Sequence, residues 1–254
     1  MSNPLFPQIE YLETVDSTNA YLKRKILSGI TNCGEPFSCA AKEQTEGRGR
    51  NGRKWLNTDG ALMLSVAVCL EDHASQAPLA SLAAACAAKD TIDSSGCESV
   101  IKWPNDIVCI HESGYSKLCG ILCELVQSPC GSWFAILGIG INANAVAVPE
   151  NLLQPATSLR LETGRSFDLD EMSVLLYKAV CSRMDMLKND KYALLAHYRK
   201  NCFTLGKNVR AIEKDGKDIC GIAEAVDDFG RLIIKPENGE TVTVTAADVS
   251  LRLI

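Results

Sequence analysis

The hydrophobic and polar residues of this chain form two kinds of pattern, one typical of helices and one typical of strands. Residues 17–30 and the alanine-rich run at 78–93 predict two helices. The apolar run at 62–70 predicts a buried strand. Several β-rich runs between 100 and 142 predict neighbouring strands joined by turns, which is typical of a central sheet.

In the last third of the chain, the sequence predicts a long helix and then changes to a pattern of short strands. Asp168 and Glu171 fit a capping pattern, and the helix after them places one set of apolar residues on a single face: Met172, Leu175, Leu176, Ala179, Met184 and Leu187. A shorter helix is predicted at 192–200. Short polar strands with DG, FG and NG turns come next. We therefore predict a main domain over residues 1–203 and a small β-barrel module over residues 204–254.

The composition is that of an ordinary globular protein. Of its 254 residues 46% are hydrophobic, and the formal net charge is −5. This negative charge argues against a general nucleic-acid or membrane-surface role, which calls for a broad basic face. No apolar stretch approaches the roughly 20 residues of a membrane span, and the start of the chain lacks the pattern of a secretory signal. We expect an intracellular protein whose twelve cysteines are mostly free, buried thiols.

The segment GRGRNGRKW at 47–55 concentrates glycine and positive charge in an otherwise acidic chain. Glycine lets the backbone approach a ligand closely, and guanidinium groups bind phosphate or carboxylate oxygens through paired hydrogen bonds. The segment is therefore suited to close over an anion, with Trp55 placed to stack on a base or to exclude water. A solvated basic loop or an RNA-binding tract explains the composition equally well.

Three further motifs place polar residues at turns and strand ends. IKWPNDI at 101–107 suits either a nucleotide site or ordinary turn chemistry. KLCGILCE at 117–124 begins a strand with a lysine that either meets an anion or faces solvent, and its glycine suggests a close approach to the backbone. GIGIN at 138–142 ends on an asparagine whose amide either reads a ligand or caps the next turn.

In this order and with these spacings, the motifs resemble those of the biotin–protein ligases. The matching pieces are DSTN at 16–19, EQTEGRGRNGRKW at 43–55, KWPND at 102–106, KLCGILCE at 117–124 and GIGIN at 138–142. The resemblance covers nearly the whole chain. It implies an α+β fold, with a central mixed β-sheet flanked by helices, of the class II synthetase and biotin ligase type, and a small C-terminal SH3-like β-barrel. It also implies that biotin and ATP form biotinyl-5′-AMP and pyrophosphate, and that biotin then passes to one lysine of a carrier domain.

The resemblance implies a biotin pocket. Ser17, Thr18 and Gln44 match residues that hydrogen-bond the ureido ring of biotin, although Ser17 and Thr18 also fit helix capping. Arg50 and Lys117 match the side chains that hold the biotin carboxylate and the adenylate phosphate, and both are expected to be catalytic. The same pocket takes in four more residues: Asn19, Gly47, Arg48 and Gly120.

A nucleotide side is implied beside this pocket. Trp55 matches a loop aromatic near the adenine, and Arg53 lies towards the ATP phosphates. Asp106, the third expected catalytic residue, orients the incoming lysine or a Mg²⁺ ion that arrives with ATP, while no metal site made of protein ligands is expected. The other residues expected on this side are Arg48, Arg50, Lys102, Asn105, Lys117 and Asn142.

The implied partner is the biotin carboxyl carrier domain of a biotin-dependent carboxylase. Some bacterial members of the family begin with a winged helix that binds DNA. Only fifteen residues precede DSTN here, so we expect no DNA partner. No membrane partner is expected either, the expected location is cytoplasmic, and both a monomer and a homodimer are compatible with the resemblance.

Three other functions fit part of the pattern. A lipoate–protein ligase shares the fold and the adenylate chemistry but differs at the arginine–glycine loop and at KWPND. A non-catalytic biotin- or nucleotide-binding module keeps only the pocket, whereas all the expected polar residues are present here. A nucleic-acid-binding protein uses the basic loop, but the acidic total charge and the single short basic patch count against it.

Overall fold

A seven-stranded sheet forms the centre of the protein, which a computed structural model describes at residues 9–29, 34–55, 60–148, 154–213, 218–237, 239–246 and 249–254. Its strands are β1 (Ile9–Val15), β2 (Phe37–Gln44), β3 (Leu62–Glu71), β4 (Val100–Lys102), β5 (Asp106–His111), β6 (Gly114–Gln127) and β7 (Trp133–Ile141). They lie in the order β1-β2-β3-β7-β6-β5-β4. β1 and β2 pair in parallel and the other neighbours are antiparallel. The central sheet is therefore mixed, as predicted.

Helices cover both faces of this sheet. The described α-helices are α1 (Thr18–Leu27), α2 (Ala77–Ser94), α3 (Leu159–Thr163), α4 (Leu169–Asn189) and α5 (Lys191–Asn201). α1 packs on one face, against β2, β3, β6 and β7. α2 packs on the other face together with α4, and the small alanine side chains of α2 allow a close approach on both of its sides.

The alternation of side chains along β3 separates two apolar layers. Leu62, Leu64 and Val66 belong to the large core beneath α2 and α4. Ala67 belongs to the smaller cluster beneath α1, and Ser65 lies two residues from it on the same face. A polar residue is thus buried between the sheet and the start of α1, and this is where the candidate site lies.

A smaller sheet follows α5. It contains β8 (Asn208–Glu213), β9 (Asp218–Val226), β10 (Leu232–Lys235), β11 (Val242–Val244) and β12 (Val249–Leu253), in the antiparallel order β11-β10-β9-β8-β12. The predicted FG turn is present, with Gly230 at φ +80. The predicted DG turn and the asparagine of the predicted NG turn lie outside the described residues.

The two sheets share packing across the predicted boundary at residue 204. The indole Nε1 of the buried Trp103 donates to the carbonyl oxygen of Gly230 at 3.1 Å. Arg199 Nε donates to the carbonyl oxygen of Val226 at 2.8 Å. One continuous core cluster contains residues from both sides of the boundary. The division into domains at this residue remains a prediction.

The helix ends agree with the sequence in part. Asp168 caps α4, since its side chain accepts hydrogen bonds from the backbone N–H groups of Asp170 and Glu171. Ser17 occupies the N-cap position of α1 but makes no side-chain capping hydrogen bond within the described residues. The predicted capping position is therefore confirmed for Ser17, but without a side-chain capping hydrogen bond; Thr18 is the first residue of the helix, and its hydroxyl is engaged elsewhere, as described below.

One prediction about buried side chains fails at a single position, and the prediction of mostly free cysteines holds with exceptions. Leu175 is 54% exposed, because the neighbouring Leu176 takes the inward position of this helix turn. Cys69 is disulfide-bonded, whereas ten other cysteines in the described part of the chain are free thiols. Of these ten, Cys130 and Cys220 are exposed.

Asp90 on α2 ties the two long helices and α5 together. Its carboxylate accepts hydrogen bonds from Arg183 Nε at 2.9 Å and Nη2 at 2.6 Å, and it lies 3.1 Å from His197 Nε2. The groups are partly exposed, so solvent reduces the strength of the pair. We expect Asp90→Ala to lower the free energy of unfolding by about 1–2 kcal/mol, since the Arg183 charge loses its hydrogen-bonded partner.

Urea denaturation measures this loss, with Asp185→Ala as the matched control. Asp185 lies exposed on α4, so its substitution is expected to change the unfolding free energy by no more than about 0.5 kcal/mol. Equal losses in the two variants would contradict the role given to Asp90.

Candidate active site

A small open cleft of about 60 Å³ lies on the face of the central sheet that carries α1. It is bounded by the start of α1, by the segment 47–55 and by the middle of β6 and β7. Its lining residues are Ser17, Thr18, Asn19, Gln44, Arg48, Gly49, Arg50, Trp55, Met63, Asn105, Lys117, Gly120, Ile121, Leu122, Gly138, Ile139 and Gly140. Motifs far apart in the sequence therefore meet at one place.

Three glycines form the floor of the cleft. Gly120 on β6 lies opposite Gly140 on β7, and Gly138 lies one step further along the same face. A methyl group on Gly140 would lie 2.5 Å from Trp55 Cζ2, and one on Gly138 would overlap the Asn19 side chain. The absence of side chains here allows other groups to rest directly on the strand backbone.

The start of α1 forms the polar end of the cleft. The Gln44 side chain at the end of β2 accepts a hydrogen bond from the Thr18 backbone N–H at 2.8 Å. Its Oε1 also lies 3.1 Å from the Thr18 hydroxyl, and its Nε2 lies 3.2 Å from Met63 Sδ. Gln44 therefore fixes the first turn of α1 against the edge of the cleft.

A buried group of polar side chains continues behind this end. Ser65 Oγ lies 2.7 Å from Thr18 Oγ1 and 2.6 Å from Asn19 Oδ1. Asn19 Nδ2 donates to Glu124 Oε2 at 2.7 Å and to the carbonyl oxygen of Leu122 at 3.3 Å. The polar end thus rests on hydrogen bonds to β3 and β6.

The glycine- and arginine-rich segment folds back on itself beside the cleft. The Trp55 N–H donates to the Gly47 carbonyl oxygen at 2.9 Å, and the Gly49 N–H donates to the Arg53 carbonyl oxygen at 2.7 Å. The tip turns through Asn51 at φ 56 and Gly52 at φ +71. A left-handed turn of this kind favours asparagine and glycine, which explains the NG pair in the motif.

The Arg50 side chain connects this loop to the rest of the protein. Its Nη1 donates to Asn105 Oδ1 at 2.8 Å, and its Nη2 donates to the carbonyl oxygen of Ala246 in the C-terminal module. Asn105 in turn donates through Nδ2 to the Ile121 carbonyl oxygen at 2.7 Å. Burial lowers the pKa of the Arg50 guanidinium, and the nearby Arg53 lowers it further.

Lys117 and Trp55 lie over the glycine floor. Lys117 Nζ makes an ion pair with Asp106 Oδ1 at 2.6 Å and lies 5.8 Å from the centre of the Trp55 ring. The Trp55 indole packs on Gly120 and Gly140, and its buried Nε1 has no hydrogen-bond partner among the described residues. Asp106 is the register partner of Gly120, so the sheet itself places this carboxylate beside the cleft.

Other predicted residues lie at or beyond the edge of the cleft. Arg48 lines it but is exposed, and Arg53 is exposed on the loop. Lys102 is 5% exposed, its Nζ lies 3.4 Å from Gln154 Oε1, and burial lowers its pKa. Asn142 is buried and donates to the Thr157 carbonyl oxygen at 3.0 Å. Gly47 packs against Trp55 and Gln44 rather than lining the cleft.

Several residues around the cleft were not predicted from the sequence. Ser65 and Met63 stand on the cleft face of β3, and the single serine in the apolar run LMLSVAVCL was a usable signal for one of them. Glu124 closes the KLCGILCE motif, but its partner Asn19 lies 105 residues away. The Ala246 carbonyl carries no signal in the sequence, because it is a backbone atom.

Comparison with known protein families identifies the family to which this cleft belongs. Residues 11–142 match the Biotin/lipoate A/B protein ligase family, and residues 204–252 match the Biotin protein ligase C terminal domain. The chain belongs to the biotin/lipoate A/B protein ligase family. The resemblance inferred from the sequence motifs is thereby confirmed, and the chain is an enzyme of the ligase class.

Relatives of this ligase match over most of their length. The biotin--[acetyl-CoA-carboxylase] ligase of Mycobacterium tuberculosis is 36% identical over 249 residues, which make up 95% of this chain and 88% of that protein. The bifunctional ligase/repressor BirA of Escherichia coli is 30% identical over 249 residues, covering 94% of this chain and 75% of that protein.

Solved structures of biotin protein ligases have the same fold. The enzyme from Aquifex aeolicus in complex with biotin and ATP matches this ligase with a TM-score of 0.81 and 26% sequence identity. The match covers 98% of this chain and 100% of that one. The predicted α+β fold with a small C-terminal β module is confirmed.

Two features are absent from the described residues. None of their helices is long and apolar enough to span a bilayer. Nor do they contain a group of three or more histidine, cysteine, aspartate or glutamate side chains placed to hold a metal ion.

Proposed function

We propose that this ligase joins biotin to a carrier lysine in two steps within the cleft. In the first step a biotin carboxylate oxygen attacks the α-phosphorus of ATP, the new O–P bond forms, and pyrophosphate leaves. In the second step the ε-amine of the carrier lysine attacks the acyl carbon of biotinyl-5′-AMP, an amide forms, and AMP leaves.

One observation carries the proposal: a single cleft has hydrogen-bonding groups at one end and cations at the other. Thr18 and Gln44 form the polar end, whereas Arg50 and Lys117 reach in from the opposite side. A ligand with a polar ring, an apolar chain and a carboxylate fits this order of groups, and the glycines between the two ends let the chain lie close to the strand backbone once the Trp55 indole that rests on them moves aside.

The biotin end is assigned to the residues around α1. We infer that Ser17, Thr18 and Gln44 bind the ureido ring and that Asn19 supports them from behind. Gly120, on which Trp55 and Lys117 pack, lets the ligand chain approach the backbone of β6 closely. Gly47 and Arg48 belong to the covering loop. Gly47 packs on Trp55, and its lack of a side chain allows this close contact.

Lys117 and Arg50 are the groups that lower the barrier of the first step. A carboxylate that attacks a phosphate meets charge repulsion, and fixed cations at both anions reduce it. Asp106 holds Lys117 in place through their 2.6 Å ion pair. In the second step we assign the same carboxylate to orient the incoming lysine amine, because it lies beside the cleft as the register partner of Gly120.

The nucleotide side includes the residues next to this centre. We assign Trp55 to the adenine, Asn105 and Arg50 to the adenylate, and Arg53 and Lys102 to the ATP phosphates; the list is completed by Arg48, Lys117 and Asn142. Mg²⁺ would be held through the ATP phosphates, since the described residues offer no cluster of metal ligands. When bound, it supplies charge neutralisation for the leaving pyrophosphate.

The loop at 47–55 has a protective role in this proposal. Biotinyl-5′-AMP is a mixed anhydride that water hydrolyses, so a loop that covers it preserves the intermediate. The acceptor is the biotin carboxyl carrier domain of a biotin-dependent carboxylase. We propose that the enzyme acts in the cytoplasm, as a monomer or a homodimer. We also propose that it has no DNA partner, which agrees with its net charge of −5.

Mass spectrometry tests the two steps. The purified protein is incubated with ATP, Mg²⁺ and either biotin or lipoate, and a carrier domain is added afterwards. We expect biotinyl-5′-AMP first and one biotinylated carrier lysine second. A lipoyl product would contradict the substrate, and the absence of an adenylate from either acid in folded protein would reduce the chain to a binding module.

Arg50→Gly is expected to speed the release of biotinyl-5′-AMP by about tenfold or more without unfolding the protein. The guanidinium joins the loop to Asn105 and to the Ala246 carbonyl oxygen, so its loss frees the loop as well as removing a cation. Filter binding of labelled adenylate measures the release rate, and Lys54→Gly on the exposed part of the same loop is the control. Equal retention by the parent and Arg50→Gly proteins would show the assignment to be wrong.

A further inference from the structure

Four polar side chains form a line that begins in the cleft and ends outside it. They are Thr18, Ser65, Asn19 and Glu124, joined by contacts of 2.7, 2.6 and 2.7 Å. Thr18, Ser65 and Asn19 are buried, whereas Glu124 lies half-buried at the far end and does not line the cleft. Each contact is short enough to need one hydrogen between its two heavy atoms.

The orientation of the Asn19 amide is fixed by its neighbours. Glu124 Oε2 and the Leu122 carbonyl oxygen can only accept hydrogen bonds, and both lie within reach of the same amide atom. That atom must therefore be the nitrogen, which donates one hydrogen to each of them. The amide oxygen is consequently turned towards Ser65.

The single hydrogen of the Ser65 hydroxyl then has one possible destination. Asn19 Oδ1 cannot donate, so the 2.6 Å contact requires that Ser65 donates to it. The 2.7 Å contact between Ser65 and Thr18 must then use the hydroxyl hydrogen of Thr18. Gln44 Oε1, at the longer distance of 3.1 Å, is satisfied instead by the Thr18 backbone N–H at 2.8 Å.

The direction of these hydrogen bonds sets the chemistry of the cleft. Because the Thr18 hydroxyl hydrogen points away from the cleft, the Thr18 oxygen offers lone pairs to a ligand. The Gln44 side-chain oxygen beside it is also an acceptor. This end of the cleft therefore favours a head group that donates hydrogen bonds and disfavours one that presents only acceptors.

We propose that Glu124, Asn19 and Ser65 are positioning residues that hold Thr18 as an acceptor and so select a cyclic urea with an N–H donor. This inference rests on the proposed function; it adds Ser65 and Glu124, and it lets Asn19 act through Thr18. It also gives a physical reason for rejecting lipoate, whose dithiolane ring has no N–H group.

The test compares biotin with two analogues in which one ureido N–H or the other is replaced by a ring oxygen. This exchange of urea for carbamate keeps the shape and turns a donor into an acceptor. In the parent enzyme we expect kcat/KM for adenylate formation to be about 100-fold lower with one of the two analogues. In Ser65→Ala the hydrogen of Thr18 is released towards the cleft, and this preference is expected to shrink about tenfold, mainly through KM.

Two variants at Glu124 complete the test. Glu124→Gln keeps an oxygen acceptor for the Asn19 amide, so the preference should stay within about twofold of the parent. Glu124→Leu removes the acceptor and frees the amide to turn over, so the preference should fall as in Ser65→Ala. The ratio of the two substrates is measured within each variant, so partial loss of folded enzyme cancels from it.

Each possible result either supports or overturns the positioning role of these three residues. A preference that shrinks in Ser65→Ala and Glu124→Leu but not in Glu124→Gln supports the inference. A raised KM with an unchanged preference would mean that the line of side chains only stabilises the fold. Equal use of urea and carbamate by the parent enzyme would also overturn it, whereas a parent that adenylates no biotin at all would refute the proposed function instead.

Discussion

Gly138→Ala is expected to lower kcat/KM for biotin about 100-fold while the protein stays folded. A methyl group at this position overlaps Asn19 Oδ1 and lies 2.9 Å from Asn19 Cγ. The Asn19 side chain must move, and its contacts with Ser65 and Glu124 are lost with it. Misplacement of a binding group by about 1 Å is enough for an effect of this size. Steady-state adenylation with varied biotin measures it.

Two controls separate this effect from general damage to the strand. Gly239→Ala places a methyl group 4.0 Å from Pro236 Cβ, in open surroundings, and should leave the activity unchanged. In an Asn19→Ala background the three atoms nearest to the added methyl group are gone, so the double variant should be no worse than Asn19→Ala alone. Fully additive losses in the double variant would show that Gly138 does not act through Asn19.

Lys117→Ala is expected to reduce the rate of pyrophosphate release by about 10²–10³-fold at saturating biotin and ATP. The substitution removes a fixed cation from the reacting centre, and losses of this order follow when one such group is deleted. Lys117→Arg keeps the charge and should retain part of the rate. Stopped-flow detection of pyrophosphate gives the rate directly.

The ion pair with Asp106 offers a way to check the cause. If the loss in Lys117→Ala came only from leaving the Asp106 carboxylate without its partner, adding Asp106→Asn would restore the rate. We expect no such rescue, because the missing cation is what the reaction needs. Unchanged pyrophosphate release in Lys117→Ala would falsify the role given to this lysine.

Most of the helices and strands predicted from local sequence patterns are present in the structure. The β-rich runs between 100 and 142 became β4 to β7, and the alanine-rich run became α2. Short-range signals do not fix finer details such as the exposure of Leu175, which depends on how α4 is rotated against its neighbours. The short helix α3 has five residues and was missed, since so few positions show no clear period.

The candidate site was predictable where a motif carries its own residues. Gln44, Arg50, Asn105 and Lys117 all line the cleft, as their motifs implied. The supporting contacts were not predictable, because they depend on strand register. Ser65 reaches Asn19 only since β3 runs beside β7 and beneath α1, a relation that no short stretch of sequence encodes.

The packing of Trp103 against the C-terminal module has a practical consequence for anyone who wishes to dissect or rebuild this enzyme. A fragment ending at residue 203 would leave the Trp103 indole without its acceptor and would uncover Leu82, on which Gly230 now rests. It would also remove the Ala246 carbonyl that anchors Arg50. The C-terminal module therefore cannot be exchanged on its own. A chimaera with another ligase should take the residues around Trp103 and the C-terminal module from the same protein.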